Sequence, residues 1–209
     1  MSSMRRCGML GLVLASSGFC QKVVMTETTE VLPNLVKNRN LNLEREETKN
    51  TSNITYKGLE PSLISVRRLR WDKVKKDVSA CKNNDHSDDL KYHSFDTIVG
   101  TDVVFATSLV KPLLKTLQKM SHSNTMIYLC LQIRCADSHA LLLRKANKYG
   151  FQCIDCTDEL KSMPVYSWGL ELECKILRLS ILEGKREEKV KRKLRVDNIP
   201  KENSKRIRR

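Results

Sequence analysis

Three residues of this chain stand where an open α/β sheet does its chemistry. Glu27 closes the run Lys22-Val23-Val24-Met25-Thr26-Glu27, Asp102 closes Phe95-Asp96-Thr97-Ile98-Val99-Gly100-Thr101-Asp102, and Trp71 follows the alternating segment Leu63 to Leu69. Such runs read as strands, and ligands of open α/β sheets collect at the carboxyl ends of strands. A carboxylate fixed at a strand end offers paired acceptors to a diol. A large flat indole just past a strand end can lie against a planar ring. Each residue also has a plainer reading. Glu27 can be a solvated turn carboxylate, Asp102 a cap on the next helix, and Trp71 a core or surface tryptophan.

Other chemistry-bearing groups are weaker. Cys153-Ile154-Asp155-Cys156 is a lone Cys-x-x-Cys, and zinc would need two more ligands. Cys130 and Cys135 have the wrong spacing to supply them, so no metal is expected. His86, His93, His122 and His139 form no ligand pattern. Cys20, Cys130, Cys153 and Cys174 lie in or beside apolar runs, where free cysteine acts as a small hydrophobe rather than as part of a secreted disulfide framework. No apolar segment approaches the ~20 residues of a membrane helix, so no membrane partner is expected.

The elements that must position these residues alternate. Gly8 to Ser17 has helical composition, and Thr28 or Thr29 can cap a helix that runs through Leu32 and Leu35 to about Asn40, with Pro33 in its first turns. Ser108 to Met120 carries apolar residues at helical spacing. Thr125 to Ile133 is a nearly continuous apolar run, the mark of a strand covered on both faces. Asp137 to Tyr149 is helical, and Gly150 can end it. Phe151 to Cys156 and Leu170 to Leu179 read as two last strands that can pair antiparallel, with no clear helix between them. Residues 43–60 and 72–93 are polar and read as irregular, with a loop at Asn83-Asn84-Asp85. This β–α–β–α order implies a doubly wound sheet.

The formal charge is +14 over 209 residues, and much of it lies in the final stretch, EGKREEKVKRKLRVDNIPKENSKRIRR. That stretch has no aromatic residue and too few aliphatic ones to offset the entropy of ordering. Two parts are expected, a domain over 1–180 and a basic, disordered tail over 181–209. Lys191-Arg192-Lys193 and Lys205-Arg206 would give the tail weak, salt-sensitive nucleic-acid contact or a nuclear import signal.

Taken together, CGMLGLVLASSG, KVVMTETTEVLPNLVKNRNLN, VRRLRWD and FDTIVGTDVVFATSLVKPLLKTL resemble the seven-β-strand protein-lysine methyltransferases. The closest group looks like the one containing the valosin-containing-protein lysine methyltransferase. The resemblance covers roughly residues 7–179 and lies in order, spacing and local wording. It implies a Rossmann-like α/β methyltransferase sheet with an antiparallel last strand. It also implies the cofactor S-adenosylmethionine, with Gly8, Glu27, Trp71 and Asp102 on the cofactor and Asp102 and Phe105 in the catalytic position. Glu27 would take the ribose hydroxyls and Trp71 the adenine.

The departures are specific. The family's Glu-Leu-Gly-x-Gly-x-Gly turn keeps only its last glycine, at Gly8; Met4 and Arg6 stand at the first two, and Ser2 stands at the acid. The family's first strand has no counterpart, so a missing or degenerate first strand is expected. Its loss would leave backbone groups unpaired in mid-sheet. The family's Asp-x-x-Tyr reads Asp102-Val103-Val104-Phe105, without the hydroxyl, and Arg70 precedes Trp71 where relatives often carry an acid.

The opening reads as the start of the domain's first helix rather than as a signal peptide, despite Arg5-Arg6 and the small residues after the apolar core. The expected function is methylation of lysine on a protein substrate by a cytoplasmic or nuclear monomer. The alternative is a catalytically inactive binding protein on a truncated methyltransferase scaffold. A nucleic-acid methyltransferase is disfavoured, because Asp102-Val103-Val104-Phe105 lacks the two prolines that amino-methylating enzymes of that class carry.

Overall fold

In the computed structural model, which describes residues 8–43, 60–82, 89–161 and 174–182, the opening apolar run is a helix. This helix, α1 (Met9–Ser16), buries Leu12 and Ala15 in one cluster with Met25, Leu35 and Ile64. Gly8 precedes it with φ 85°, and a Cβ there would lie 2.4 Å from Leu35 Cδ1. Two independent effects therefore require glycine. Left-handed backbone costs a β-carbon residue roughly 1–2 kcal/mol, and overpacking a core roughly 1–3 kcal/mol. Gly8→Ala is expected to lower stability by about 2–5 kcal/mol on the same grounds. Urea unfolding followed by circular dichroism measures it, and an unchanged midpoint would contradict the packing described.

The described residues fall into two compact units that divide after Tyr92. In the first, α1 is followed by β1 (Val23–Glu27), α2 (Leu32–Leu43), β2 (Ile64–Arg68) and α3 (Val74–Lys82). β1 and β2 pair parallel, from Val23 opposite Ile64 to Glu27 opposite Arg68. Pro33 is the second residue of α2, where its missing N–H has no intrahelical acceptor to lose. Arg39 on α2 donates to the backbone carbonyls of Ile64 and Pro61, at 2.9 and 3.0 Å, and ties that helix to the start of β2.

Polarity predicts an irregular segment over 72–93, but α3 forms within it. Only Val74 and Val78 carry its apolar burial, at 2% and 1% exposure. Two valines four residues apart make too narrow a stripe to stand out from the lysines around them. The remaining buried position of α3 is a charged one, Asp77.

The second unit holds β3 (Phe95–Thr101), α4 (Thr107–Met120), β4 (Ser121–Gln132), α5 (Ala136–Ala146), β5 (Phe151–Asp155), α6 (Thr157–Lys161) and β6 (Cys174–Ile181). Its sheet has the order β3-β4-β6-β5. β3 and β4 are parallel, while β6 runs antiparallel to both β4 and β5. The antiparallel last pair is as expected, and so is Gly150, whose φ of 86° lets the chain leave α5 for β5. Val110, Leu113, Leu114, Leu117 and Met120 bury one face of α4, at the spacing the sequence shows.

Three boundaries differ from expectation. β4 starts at Ser121, because Thr125 buries its hydroxyl as a donor to the Phe95 carbonyl, at 2.6 Å, and so extends the pairing into polar sequence. α6 forms after β5, started by Asp155, which accepts the Thr157 backbone N–H at 2.9 Å. Ile181, expected to open the tail, instead pairs with Phe151 at the end of β6. Residues 1–7, positions 44–59 of the loop expected over 43–60, the turn at Asn83-Asn84-Asp85, Leu170 to Glu173, and the tail from 183 onward lie outside the described residues. Among the described residues, no helix is long and apolar enough to cross a membrane.

Candidate functional site

Parallel pairing brings the carboxyl ends of β1 and β2 to the same side of the first unit. Glu27 is the last residue of β1, and its carbonyl accepts the Leu69 N–H at 3.0 Å. Its side chain is partly buried, and Oε2 accepts the Thr28 backbone N–H at 3.2 Å. A carboxylate has about four acceptor sites, so this bond, the one its side chain accepts among the described residues, orients the group without filling it. Trp71, also partly buried, sits in the turn just beyond Leu69. Glu27 and Trp71 thus follow adjacent strands at one end of the pair. Gly8, with its left-handed φ of 85°, meets the core side chains Leu35 and Met25.

The turn that carries Trp71 is tied down by a residue that sequence reasoning missed. Asp77, in the first turn of α3, has a fully buried side chain. Its Oδ1 accepts from Arg70 Nη2 at 2.6 Å and Arg68 Nε at 3.1 Å. Its Oδ2 accepts from the Arg70 backbone N–H at 2.8 Å and Arg70 Nε at 3.1 Å. Burial pushes the Asp77 carboxyl up, but the Arg70 hydrogen bonds and the charges of Arg70 and Arg68 outweigh it and hold the carboxyl below its ordinary value.

A carboxyl lowered in the folded state contributes stability that is fully present above its unfolded pKa of about 3.9. That contribution is lost as pH falls through the lower folded value. Asp77→Asn is therefore expected to flatten the loss of stability below about pH 4 while lowering stability at neutral pH. Denaturation midpoints measured from pH 7 down to pH 3 check this, and an acid limb as steep as the parent's would contradict it.

In the second unit, Asp102 directly follows β3. Its φ of 53° is left-handed, a backbone that aspartate tolerates better than most residues. Its N–H donates to the Cys130 carbonyl at 2.9 Å. Oδ1 accepts the Gln132 backbone N–H at 3.1 Å, and Oδ2 accepts from Arg134 Nη2 at 3.0 Å. The carboxylate therefore binds the end of β4 and does not cap α4, whose N-cap is Ala106 with no side-chain bond. Asp102 and Arg134 are both about half exposed, so this pair adds little stability. Val104 is buried, while Phe105 is 60% exposed.

The cysteines sort differently. Burial raises the Cys153 thiol to about 11, and Cys156 is buried at the end of the same strand. Cys135, at the start of α5, is lowered instead by its hydrogen bonds from Ser138.

With this geometry, comparison with known proteins is decisive on one point. A profile of the family described as lysine methyltransferase matches residues 6–151. This chain belongs to the lysine methyltransferase family. The matched region contains Gly8, Glu27, Trp71, Asp102 and Phe105 and stops at the start of β5. Parallel strands joined through helices, followed by an antiparallel last strand, make this lysine methyltransferase domain Rossmann-like. Among solved structures it is similar to a carbon methyltransferase, CurJ, at 9% identity and a TM-score of 0.46, over 78% of this chain and 42% of that one. The chain thus spans less than half the length of that protein. No curated protein matches it.

The sequence singles out Glu27, Trp71 and Asp102 from their positions after strands and, with Gly8 and Phe105, from the resemblance. It misses Asp77 and Arg134. The only signal for Asp77 is an acid seven residues after Arg70, a spacing that no local pattern marks.

Proposed function

We propose that this lysine methyltransferase family member uses S-adenosylmethionine to methylate the side-chain amine of a lysine in a protein substrate. The observation that carries the reading is the position of its polar groups within the matched family domain. Glu27 ends β1, Trp71 lies three residues past β2, and Asp102 directly follows β3. The donor and acceptor set fits the adenosyl group, since Glu27 keeps acceptor capacity for a ribose diol and Trp71 offers a partly buried ring.

When bound, the cofactor supplies a methyl group activated by a sulfonium. Glu27 and Trp71 would hold its ribose and adenine. Asp102 would accept hydrogen bonds from the neutral lysine amine and so fix the direction of its lone pair. Phe105 covers the amine and excludes water. Rate on this account comes from orientation and dehydration, with no covalent bond to the protein. The setting proposed is the cytoplasm or nucleus, and the basic tail would add only weak nucleic-acid contact.

The test is incubation of the 209-residue chain with methyl-labelled S-adenosylmethionine and cell extract, followed by mass spectrometry of labelled proteins. Label on lysine is the expected result. No labelled protein, with an active family member run in parallel, would reject the activity for this chain. Label on RNA but not on protein would reassign the substrate.

A second reading, an inactive binding protein on the same scaffold, is favoured by Phe105, which lacks the hydroxyl of the family's Asp-x-x-Tyr. If the folded chain binds partners but transfers no methyl group, and Phe105→Tyr does not awaken it, this reading replaces the first.

A further inference from the structure

We propose that Asp77 is a positioning residue for cofactor binding, its carboxylate closing the 70–77 turn so that Trp71 is presented as a fixed stacking surface for the adenine ring. The inference rests on the cofactor reading above. Its basis is the closed path of bonds around Trp71. Leu69 is tied to β1 through the Glu27 carbonyl at 3.0 Å. The next residue, Arg70, is held at both ends of its backbone: its N–H by Asp77 Oδ2 at 2.8 Å, and its carbonyl by the Lys73 N–H at 3.0 Å. The Asp77 N–H then donates to the Lys73 carbonyl at 3.1 Å. Trp71 and Asp72 are therefore carried on a short segment anchored on either side.

The carboxylate suits this task. It lies in the first turn of α3, where the helix dipole favours negative charge. It is buried, so its bonds to Arg68 and Arg70 are not shared with water. Arg70 is accounted for as well. The positive charge that precedes Trp71, where relatives often carry an acid, turns back onto Asp77 through Nε and Nη2 rather than onto a ligand. A stacking ring held in place before binding loses less freedom on binding, and a free turn would forfeit that advantage. A ring on a loosened turn also loses alignment with the adjacent Glu27 end of β1, which binds the same nucleoside.

A double-mutant cycle on the full chain tests this. Wild type, Asp77→Asn, Trp71→Ala and the double variant are titrated with S-adenosylmethionine by calorimetry, with circular dichroism confirming that each is folded. Each single change is expected to weaken binding about tenfold, and the double variant is expected to bind no more weakly than Trp71→Ala alone. A merely structural role for Asp77 would instead add its full factor on top of Trp71→Ala, which would overturn the inference. So would wild-type affinity in Asp77→Asn, or in Trp71→Ala.

If Asp77→Asn does not fold, Arg70→Gln enters the same cycle. It keeps Asp77 and the Arg70 backbone N–H, and a smaller loss that vanishes in the Trp71→Ala background is expected. An additive loss, or none, overturns the inference. A folded wild type that binds no S-adenosylmethionine would fail the cofactor reading itself. Wild-type binding without coupling fails only the role of Asp77.

Discussion

Replacing Asp102 with asparagine is expected to lower methyl transfer by about a hundredfold or more while leaving the chain folded. Asparagine tolerates the left-handed φ of 53° at this position, and its amide oxygen can still accept the Gln132 N–H. What disappears is the charge and the second acceptor. On the proposed mechanism that acceptor directs the amine, and its replacement by an NH2 group turns an attraction into a clash of donors. Misdirection of a reacting atom by a fraction of an ångström to an ångström is enough for a loss of about a hundredfold. Arg134 loses its partner, but it is 60% exposed and stays solvated, so stability changes little. Initial rates with labelled cofactor, beside thermal unfolding of the same samples, separate the two effects. Rates close to wild type would remove Asp102 from the chemistry and leave it as a tie between β3 and β4. Alanine is the poorer probe, because it would also strain the left-handed backbone.

Glu27→Gln is expected to weaken S-adenosylmethionine binding by about ten- to a hundredfold. The estimate follows from hydrogen bonds to a charged group, worth about 1.5–3 kcal/mol, with about 1.4 kcal/mol for each factor of ten. The change is isosteric. The bond from Leu69 to the Glu27 carbonyl belongs to the backbone and survives, so the β1–β2 pair should persist. Because the ribose is remote from the transferred methyl, the loss belongs in binding, with turnover at saturating cofactor nearly unchanged. Calorimetric titration gives the affinity, and rates at high cofactor give the turnover. An unchanged affinity would return Glu27 to the plainer reading of a solvated turn carboxylate. A fall in turnover alone would contradict its role as a ribose acceptor.

Much of this was legible in the residues themselves. β1 ends on Glu27 and β3 stops just before Asp102 because apolar runs of strand length end there, and that boundary is local information. α4 was legible from five apolar residues on one face, and the turn out of α5 from Gly150, since only glycine takes a positive φ without strain. The antiparallel last pair was suggested by two strands without a long crossover between them. α3 was not legible. Its burial rests on two valines and a carboxylate, and a buried carboxylate looks like a solvated one until its partners are known. The start of β4 was hidden in the same way, because Ser121 to Asn124 are polar and the bond that ties this segment down, from the Thr125 hydroxyl to the Phe95 carbonyl, ends on another strand.

The sequence by itself thus determined which residues end strands, and therefore which side chains are available for chemistry. Tertiary structure decided what each of them holds. Asp102 binds the end of β4 instead of the next helix, and Arg70 turns back onto Asp77 beside Trp71. The physical reason is that apolar periodicity records burial along one element. A charged group's partner lies on another element, and only the folded chain brings a carboxylate and its donors within hydrogen-bonding distance.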